Sequence, residues 1–409
     1  MDGIRKYFSI PDFYIIFSGL LIAQVFNLLN LFILPRLYNP ADFALFGLFT
    51  SFVFILIEVI NLKLDIAIQI ADTDKRRALT QASIFTSFFI TLIIAAFSTV
   101  FVVVRGNYYF LMLPLVILAY GINQSLVAWL NSEHQNNTIT VYRIIVVVVN
   151  FLTALICMYF YKLSTGLIIG FVFAQVTAAL FLVYKSRIIF QEIISKKEFK
   201  EMITLFYQFP KFGVISSLIN TTSKNSIIPI IIYFFGNTLG GFYTMSSKII
   251  AAPSGLYQTA MTQVFMQQVT KLSVKELKLF SIKILVFGTI FGIIPCLLVL
   301  FWGAYLFSLI FGYEWQTSGN IASYIVLWYY VASTISPVNF LLDIYQKLHI
   351  ELLWNIILLI LRTGSLLIGY YYQDFWLAII LITIVSVFMN LILLFYSFKL
   401  LEHDNNNRQ

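Results

Sequence analysis

The chain has 409 residues, is 60% hydrophobic and only 11% charged, and carries a net charge of +8. Its lysines and arginines fall in short clusters between apolar runs and form no continuous basic face, which excludes nucleic acid as the partner and points to a membrane surface instead. Cys157 and Cys296 lie inside apolar runs, and His134, His349 and His403 have no ligand spacing, so neither a disulfide framework, a metal site nor a cofactor is expected.

Apolar runs of about 20 residues, the length a helix needs to cross hydrocarbon, recur from end to end. They predict an all-α, polytopic membrane protein with twelve spans near 13–35, 43–67, 78–104, 108–131, 139–160, 164–185, 211–235, 240–268, 277–302, 320–343, 350–372 and 374–399. The first run follows Arg5 and Lys6, contains Gln24, Asn27 and Asn30, and has no small-residue cleavage site, so it reads as a retained span. The connections DTDKRR (72–77), 185–210 and KLSVKELK (271–278) are basic. Those at 36–42, 236–239, 303–319 and 373 are almost free of Lys and Arg, the outer basic residues being Arg36, Arg105 and Lys162. The positive-inside rule therefore places both termini in the cytoplasm. Residues 188–203 set apolar side chains at helical spacing beside Lys196, Lys197 and Lys200, as expected of a helix lying along the inner surface. Tyr108, Tyr109, Tyr257, Trp302, Trp315, Trp328, Tyr371 and Trp376 fall mostly near span ends and read as interfacial anchors.

Polar groups inside the spans carry the chemistry. A lysine at bilayer depth costs roughly 2.5 to 3.5 kcal/mol on insertion scales, so Lys224, Lys248 and Lys63 each need a reason. The alternatives are binding of an anion, pairing with a carboxylate on a neighbouring helix, or snorkelling to an interface. Asn27 with Asn30, and Asn220 with Lys224, stand at i,i+3 and i,i+4, so each pair shares a helix face. Glu58, Asn61 and Asp65 form a stripe at i, i+3 and i+7 in the second span, suited to loading a proton or a sodium ion. The competing reading is an internal pair of Glu58 with Lys63 or Lys248. Arg362 is expected to be structural, with Asp343 as a partner.

The chain also repeats. Residues 39–51 pair with 236–248, each an outward turn leading into an even-numbered span, which sets Asn27 on Lys224 and Ser51 on Lys248. Residues 124–138 pair with 336–350. The order predicts a six-helix lobe over 1–185, a basic linker over 186–210, a second six-helix lobe over 211–400 and a tail over 401–409. The lobes would be related by a pseudo-two-fold axis along the membrane normal, with a substrate site between the halves.

LPRLYNPADFALFGLFTSF (34–52), NLKLDIAIQIA (61–71), FPKFGVISSLIN (209–220), FFGNTLGGFYTMSSKIIAAPSGLYQTAMTQVF (234–265) and LFSLIFGYEW (306–315) resemble the polysaccharide flippases, the Wzx-type O-antigen and exopolysaccharide exporters of the multidrug/oligosaccharidyl-lipid/polysaccharide superfamily. The resemblance implies a non-enzymatic activity: moving an undecaprenyl-pyrophosphate-linked oligosaccharide across the bacterial inner membrane by alternating access. It also implies that the first, second, seventh and eighth spans line a central cavity. Lys224, Lys248, Lys63, Asn27, Asn30 and Asn220 would then meet the cargo, and Glu58 and Asp65 would couple transport to H+ or Na+. Membrane lipids, a polysaccharide polymerase and other assembly proteins are the implied partners. The alternative is a drug or organic-cation antiporter of the same superfamily, which midplane lysines oppose by like charge.

Overall fold

A spanning segment must satisfy its own backbone, and the computed structural model shows a helical chain among its described residues, 23–269, 272–345 and 348–407. The start of the predicted first span, 13–22, and the last two residues of the predicted tail lie outside them. The first described helix, α1, covers 23–33. Next come α2 (Pro40–Ile60), α3 (Leu64–Ile70), α4 (Thr73–Arg105), α5 (Leu113–Ser132), α6 (Asn136–Tyr161), α7 (Gly166–Lys185) and α8 (Lys196–Leu205). They are followed by α9 (Val214–Asn225), α10 (Ile227–Phe235), α11 (Asn237–Val269), α12 (Val274–Phe311), α13 (Gln316–Asn339), α14 (Leu341–Ile344), α15 (Leu348–Tyr371) and α16 (Phe375–Asn407).

Among the described residues nine helices are long and apolar enough to cross a membrane: α2, α4 to α7, α12, α13, α15 and α16. A tenth candidate joins Lys196–Leu205 to Phe209–Phe235 through a bend of 64°. The predicted eighth span is α11, whose 33 residues would extend about 50 Å at 1.5 Å per residue. Its length suffices, but Lys248 and its glutamines, serines and threonines dilute the hydropathy below that of a lipid-facing helix. Elsewhere the lipid face is plain: Phe89, Ile93, Phe97, Val100 and Val104 run at i+3 and i+4 along α4 and are all exposed. A stripe of that kind is stable in hydrocarbon and unfavourable in water, so the chain is a multi-pass membrane protein.

The tertiary contacts group into two units, 23–38 with 48–221, and 39–47 with 222–407. In the first unit, α4 packs on α5, α5 on α7 and α6 on α7. Its inner core joins Leu64, Ala67, Ile68, Leu79 and Ala128 to Met202 of α8. The linker is tied to the same core. Buried Gln81 donates to the Ile189 and Glu192 carbonyls and accepts from the Ile194 N–H at 2.8 Å, while Arg77 reaches Glu192. A capping box then starts α8: Glu198 N donates to Ser195 Oγ at 3.2 Å and Ser195 N to Glu198 Oε2 at 2.7 Å.

In the second unit α12 packs on α13, α11 on α13 and α15 on α16. Asn39 opens α2 with Pro40 as its first residue, and Asn39 and Asp42 exchange side-chain to backbone bonds at 3.0 Å. The first turn of α2 sits so close to α11 that a Cβ on Gly241 would overlap the Pro40 carbonyl oxygen, so only glycine fits. Trp315, read from sequence as an interfacial anchor, is 1% exposed and packs edge-on against Phe43, with ring centroids 5.0 Å apart. Residues 401–407, expected as a tail, continue α16.

Candidate functional site

The second span was expected to be one helix carrying a Glu58, Asn61 and Asp65 stripe; it is broken at Asn61–Lys63. Leu62 and Lys63 are both left-handed, with φ of 51° and 59°, a conformation that costs non-glycine residues roughly 1 to 2 kcal/mol each. Side chains hold the break in place. Asn61 Oδ1 accepts the Lys63 backbone N–H at 3.2 Å, and Asn61 Nδ2 donates to Gln124 Oε1 at 3.2 Å. Lys63 Nζ pairs with Glu58 Oε2 at 2.5 Å across the turn, and Thr221 Oγ1 donates to Glu58 Oε1 at 3.0 Å. Glu58 and Lys63 thus form the internal pair that the sequence left open. Asp65 begins the separate helix α3, so it no longer shares a continuous face with Glu58. Its buried Oδ1 meets no donor among the described residues.

The predicted seventh span is broken as well. Pro229 lies in the first turn of α10 and has no N–H to offer the carbonyl of Asn225 four residues back, so α9 ends at Asn225 and α10 begins at Ile227. Lys224 therefore occupies the last turn of α9, exposed, where the negative end of the helix dipole favours a cation. Asn220, one turn earlier, keeps a buried Oδ1 with no donor among the described residues. Arg362, 3% exposed, donates from Nη1 to the Ser223 carbonyl at 3.2 Å and from Nε to Ser386 at 3.0 Å, with its guanidinium 4.8 Å from the Trp328 ring centroid. It is structural, as expected, but it satisfies a last-turn carbonyl of α9. The side chain of its expected partner, Asp343, lies outside the described residues.

Lys248, on α11 in the second unit, holds its ammonium 3.4 Å from the centroid of the Phe46 ring. It makes no ion pair among the described residues. A ring face attracts a cation without neutralising it, and up to three N–H donors stay available. Asn30 donates to the Phe26 carbonyl at 3.0 Å and to that of Val147 at 3.4 Å, which fixes α1 to α6 within the first unit. Asn27 is exposed. Of the groups picked out by sequence, the structure joins Glu58 to Lys63 as an ion pair and Asn61 to the Lys63 backbone. Thr221, Gln124 and Phe46 were not picked out. Thr221 sat in the stretch LINTTSKNSIIPII with no reason to prefer it to Thr222, and an aromatic partner for Lys248 leaves no trace in spacing.

Residues 33–320 match the family described as polysaccharide biosynthesis protein. No curated protein matches the chain. Among solved structures, an inward-facing multidrug resistance MATE family transporter of the MOP superfamily is similar at a TM-score of 0.71 and 13% identity, over 93% of this chain and 95% of the other. A MOP superfamily transporter from Pyrococcus furiosus, described as having a binding pocket of reverse polarity, is similar at a TM-score of 0.62 and 14% identity, over 95% and 94%. The outward-facing form of a MATE family transporter gives 0.60 and 14%, over 95% and 94%. At these identities the likeness shows the fold, which is that of the MOP transporters.

Proposed function

The chain belongs to the polysaccharide biosynthesis protein family, and from that premise we propose that it flips an undecaprenyl-pyrophosphate-linked oligosaccharide, a repeat unit of O-antigen, capsule or exopolysaccharide, from the cytoplasmic to the outer leaflet. It is then a transporter of the bacterial inner membrane, with both termini cytoplasmic, and catalyses no covalent step. Lys248 carries the reading. An ammonium seated on an aromatic face, with no carboxylate to neutralise it among the described residues, is a standing site for an anion.

The cargo joins a hydrocarbon tail, a diphosphate of about two negative charges and a hydroxyl-rich glycan. The tail can stay in lipid, so the protein needs to desolvate only the head. Lys248 and Lys224 supply counter-charge to the diphosphate. Asn27 offers its amide to sugar hydroxyls, and Asn30 and Asn220 each offer an Oδ1 that meets no donor among the described residues. Lys63 can join them only by leaving Glu58, so cargo binding there would free a carboxylate. That exchange links Lys63 to ion coupling through Glu58, with H+ or Na+ as the ion; Asp65, expected as a second coupling acid, lies on the separate helix α3 and takes no part in the exchange. A polymerase and other assembly proteins would take the delivered unit. The same fold serves drug antiporters, but an organic cation would meet like charge at Lys248.

The test uses cells that make their own polymer. Membrane abundance is measured together with the lipid-linked glycan retained on the cytoplasmic leaflet, for Lys248→Ala, Lys224→Ala and Lys224→Arg. Both alanine variants should reach the membrane normally and lose at least tenfold in export, while Lys224→Arg keeps part of it because guanidinium retains the charge and binds phosphate through two bonds. Normal export by Lys248→Ala at normal abundance would refute the reading.

A further inference from the structure

The first unit contains a cavity of about 420 Å³ that shares only Asp65, Gln124 and Ala128 with the residues discussed above. Asp65 and Gln69 come from α3, Gln124 and Asn131 from α5, and Asn136 and Arg143 from α6. The volume lies in the range of small-ligand sites, roughly 300 to 1,000 Å³. Beside Val127, Ala128, Ile139 and Thr140 its wall carries four carboxamides, one carboxylate and one guanidinium.

Gln69, Asn131 and Arg143 are exposed to the cavity, so their polar groups are accessible to a solute there. Asn131 Nδ2 donates to Gln69 Oε1 at 3.2 Å, and Gln124 Oε1 accepts from Asn61. The Nε2 groups of Gln69 and Gln124, the Oδ1 of Asn131 and the whole Asn136 side-chain amide have no bonding partner among the described residues. Asp65 Oδ1 is buried without a donor, and Arg143 forms no ion pair among the described residues. These charges limit the ligand. A metal cation would be drawn to Asp65 but opposed by Arg143, and an inorganic anion would meet the reverse conflict. A neutral polyol satisfies both, because each hydroxyl donates and accepts: vicinal hydroxyls give two donors to a carboxylate and take bonds from guanidinium and carboxamides.

We infer that this cavity binds one sugar residue of the carried glycan. The inference rests on the reading that the cargo is a lipid-linked glycan and adds where the first unit grips its sugar. It separates two recognition tasks, with the diphosphate left to the lysines and the sugar to α3, α5 and α6.

The experiment places a photoreactive benzoylphenylalanine at Gln69, on the exposed rim, in the full-length protein, and irradiates cells that synthesise the glycan. Adducts on the purified protein are stained for periodate-oxidised sugar. Alongside, Asn136→Leu and Gln124→Leu, which remove polar atoms at nearly constant size, are assayed for export and membrane abundance. Expected are a sugar-positive adduct that disappears when the cell's first glycosyltransferase is deleted, and export reduced fivefold or more at normal abundance for Asn136→Leu. A protein of normal abundance with no sugar-positive adduct overturns the assignment, as does normal export by both leucine variants. Loss of export that a larger sodium or proton gradient restores would make the cavity an ion site and equally overturn it. If deleting the whole protein left the inner-leaflet pool unchanged, the transport reading itself would fall, so the two failures are distinguishable.

Discussion

Replacing Glu58 by Gln and Lys63 by Gln, singly and together, tests whether the break in the second span is held by charge. At 2.5 Å and an effective dielectric constant of about 20, the gross attraction is roughly 7 kcal/mol. Desolvation of two ions takes back most of it, and the side chains keep 17% and 19% of their exposure, so water screens the remainder. A net coupling of about 2 kcal/mol, between that of exposed and of fully buried pairs, remains. Glu58→Gln preserves an oxygen for the Thr221 hydroxyl, so its cost isolates the charge. Each single variant should lose about 2 to 3 kcal/mol, below the roughly 3 to 5 kcal/mol of fully buried pairs. The double variant should lose about the same, not the sum. Lys63→Gly should cost about 1 kcal/mol less than Lys63→Gln, because glycine accepts the left-handed backbone at φ 59°. Denaturant unfolding of the full chain in detergent, followed by tryptophan fluorescence, measures all four. Additivity of the single losses within about 0.5 kcal/mol would mean the pair is not formed, and the argument for Lys63 as a residue that exchanges partners would go with it.

Gly241→Ala should destabilise the protein by about 1 to 3 kcal/mol, since a Cβ there meets the Pro40 backbone carbonyl, which a side-chain rotation cannot relieve. Gly255→Ala, where a Cβ meets open space, is the matched control; equal melting temperatures for the two would refute the close approach of α2 and α11. For topology, single cysteines at Lys197 and Asn237, both exposed, are placed in a protein with Cys157 and Cys296 replaced. A membrane-impermeant thiol reagent added to whole cells should label only the cysteine at Asn237, and labelling at Lys197 instead would invert the proposed orientation.

Most helices could be read from the sequence because the bilayer sets their length and leaves an apolar run of fixed size. The breaks could not. Glu58, Asn61 and Asp65 recur at helical spacing, so the pattern itself suggested continuity. Nothing local to NLKLD (61–65) announces two left-handed residues, and the turn exists because Gln124 and Glu58 are on hand to hold Asn61 and Lys63. At the second break the signal was present. Pro229 after SKNS is a local reason to end α9, but its consequence for Arg362 is tertiary and could not be inferred from spacing. The linker behaves the same way: its amphipathic pattern was legible, whereas its attachment through Gln81 and Arg77 depends on which side chains the fold brings within reach.

The two breaks also explain why polar residues persist in these spans. Irregular backbone at membrane depth leaves N–H and C=O groups that hydrocarbon cannot satisfy, each at a cost of several kcal/mol. Asn61 at one break and Arg362 at the other bind such groups directly, which accounts for both residues without a cargo. The same account does not reach Lys248, which binds no backbone group and no acid among the described residues, or the carboxamides around Asp65. At Lys248 a desolvation cost that structure does not recover must be recovered in function. It is therefore at Lys248 and in the α3, α5 and α6 cavity, more than at the Glu58 and Lys63 pair, that substitution should separate transport from folding.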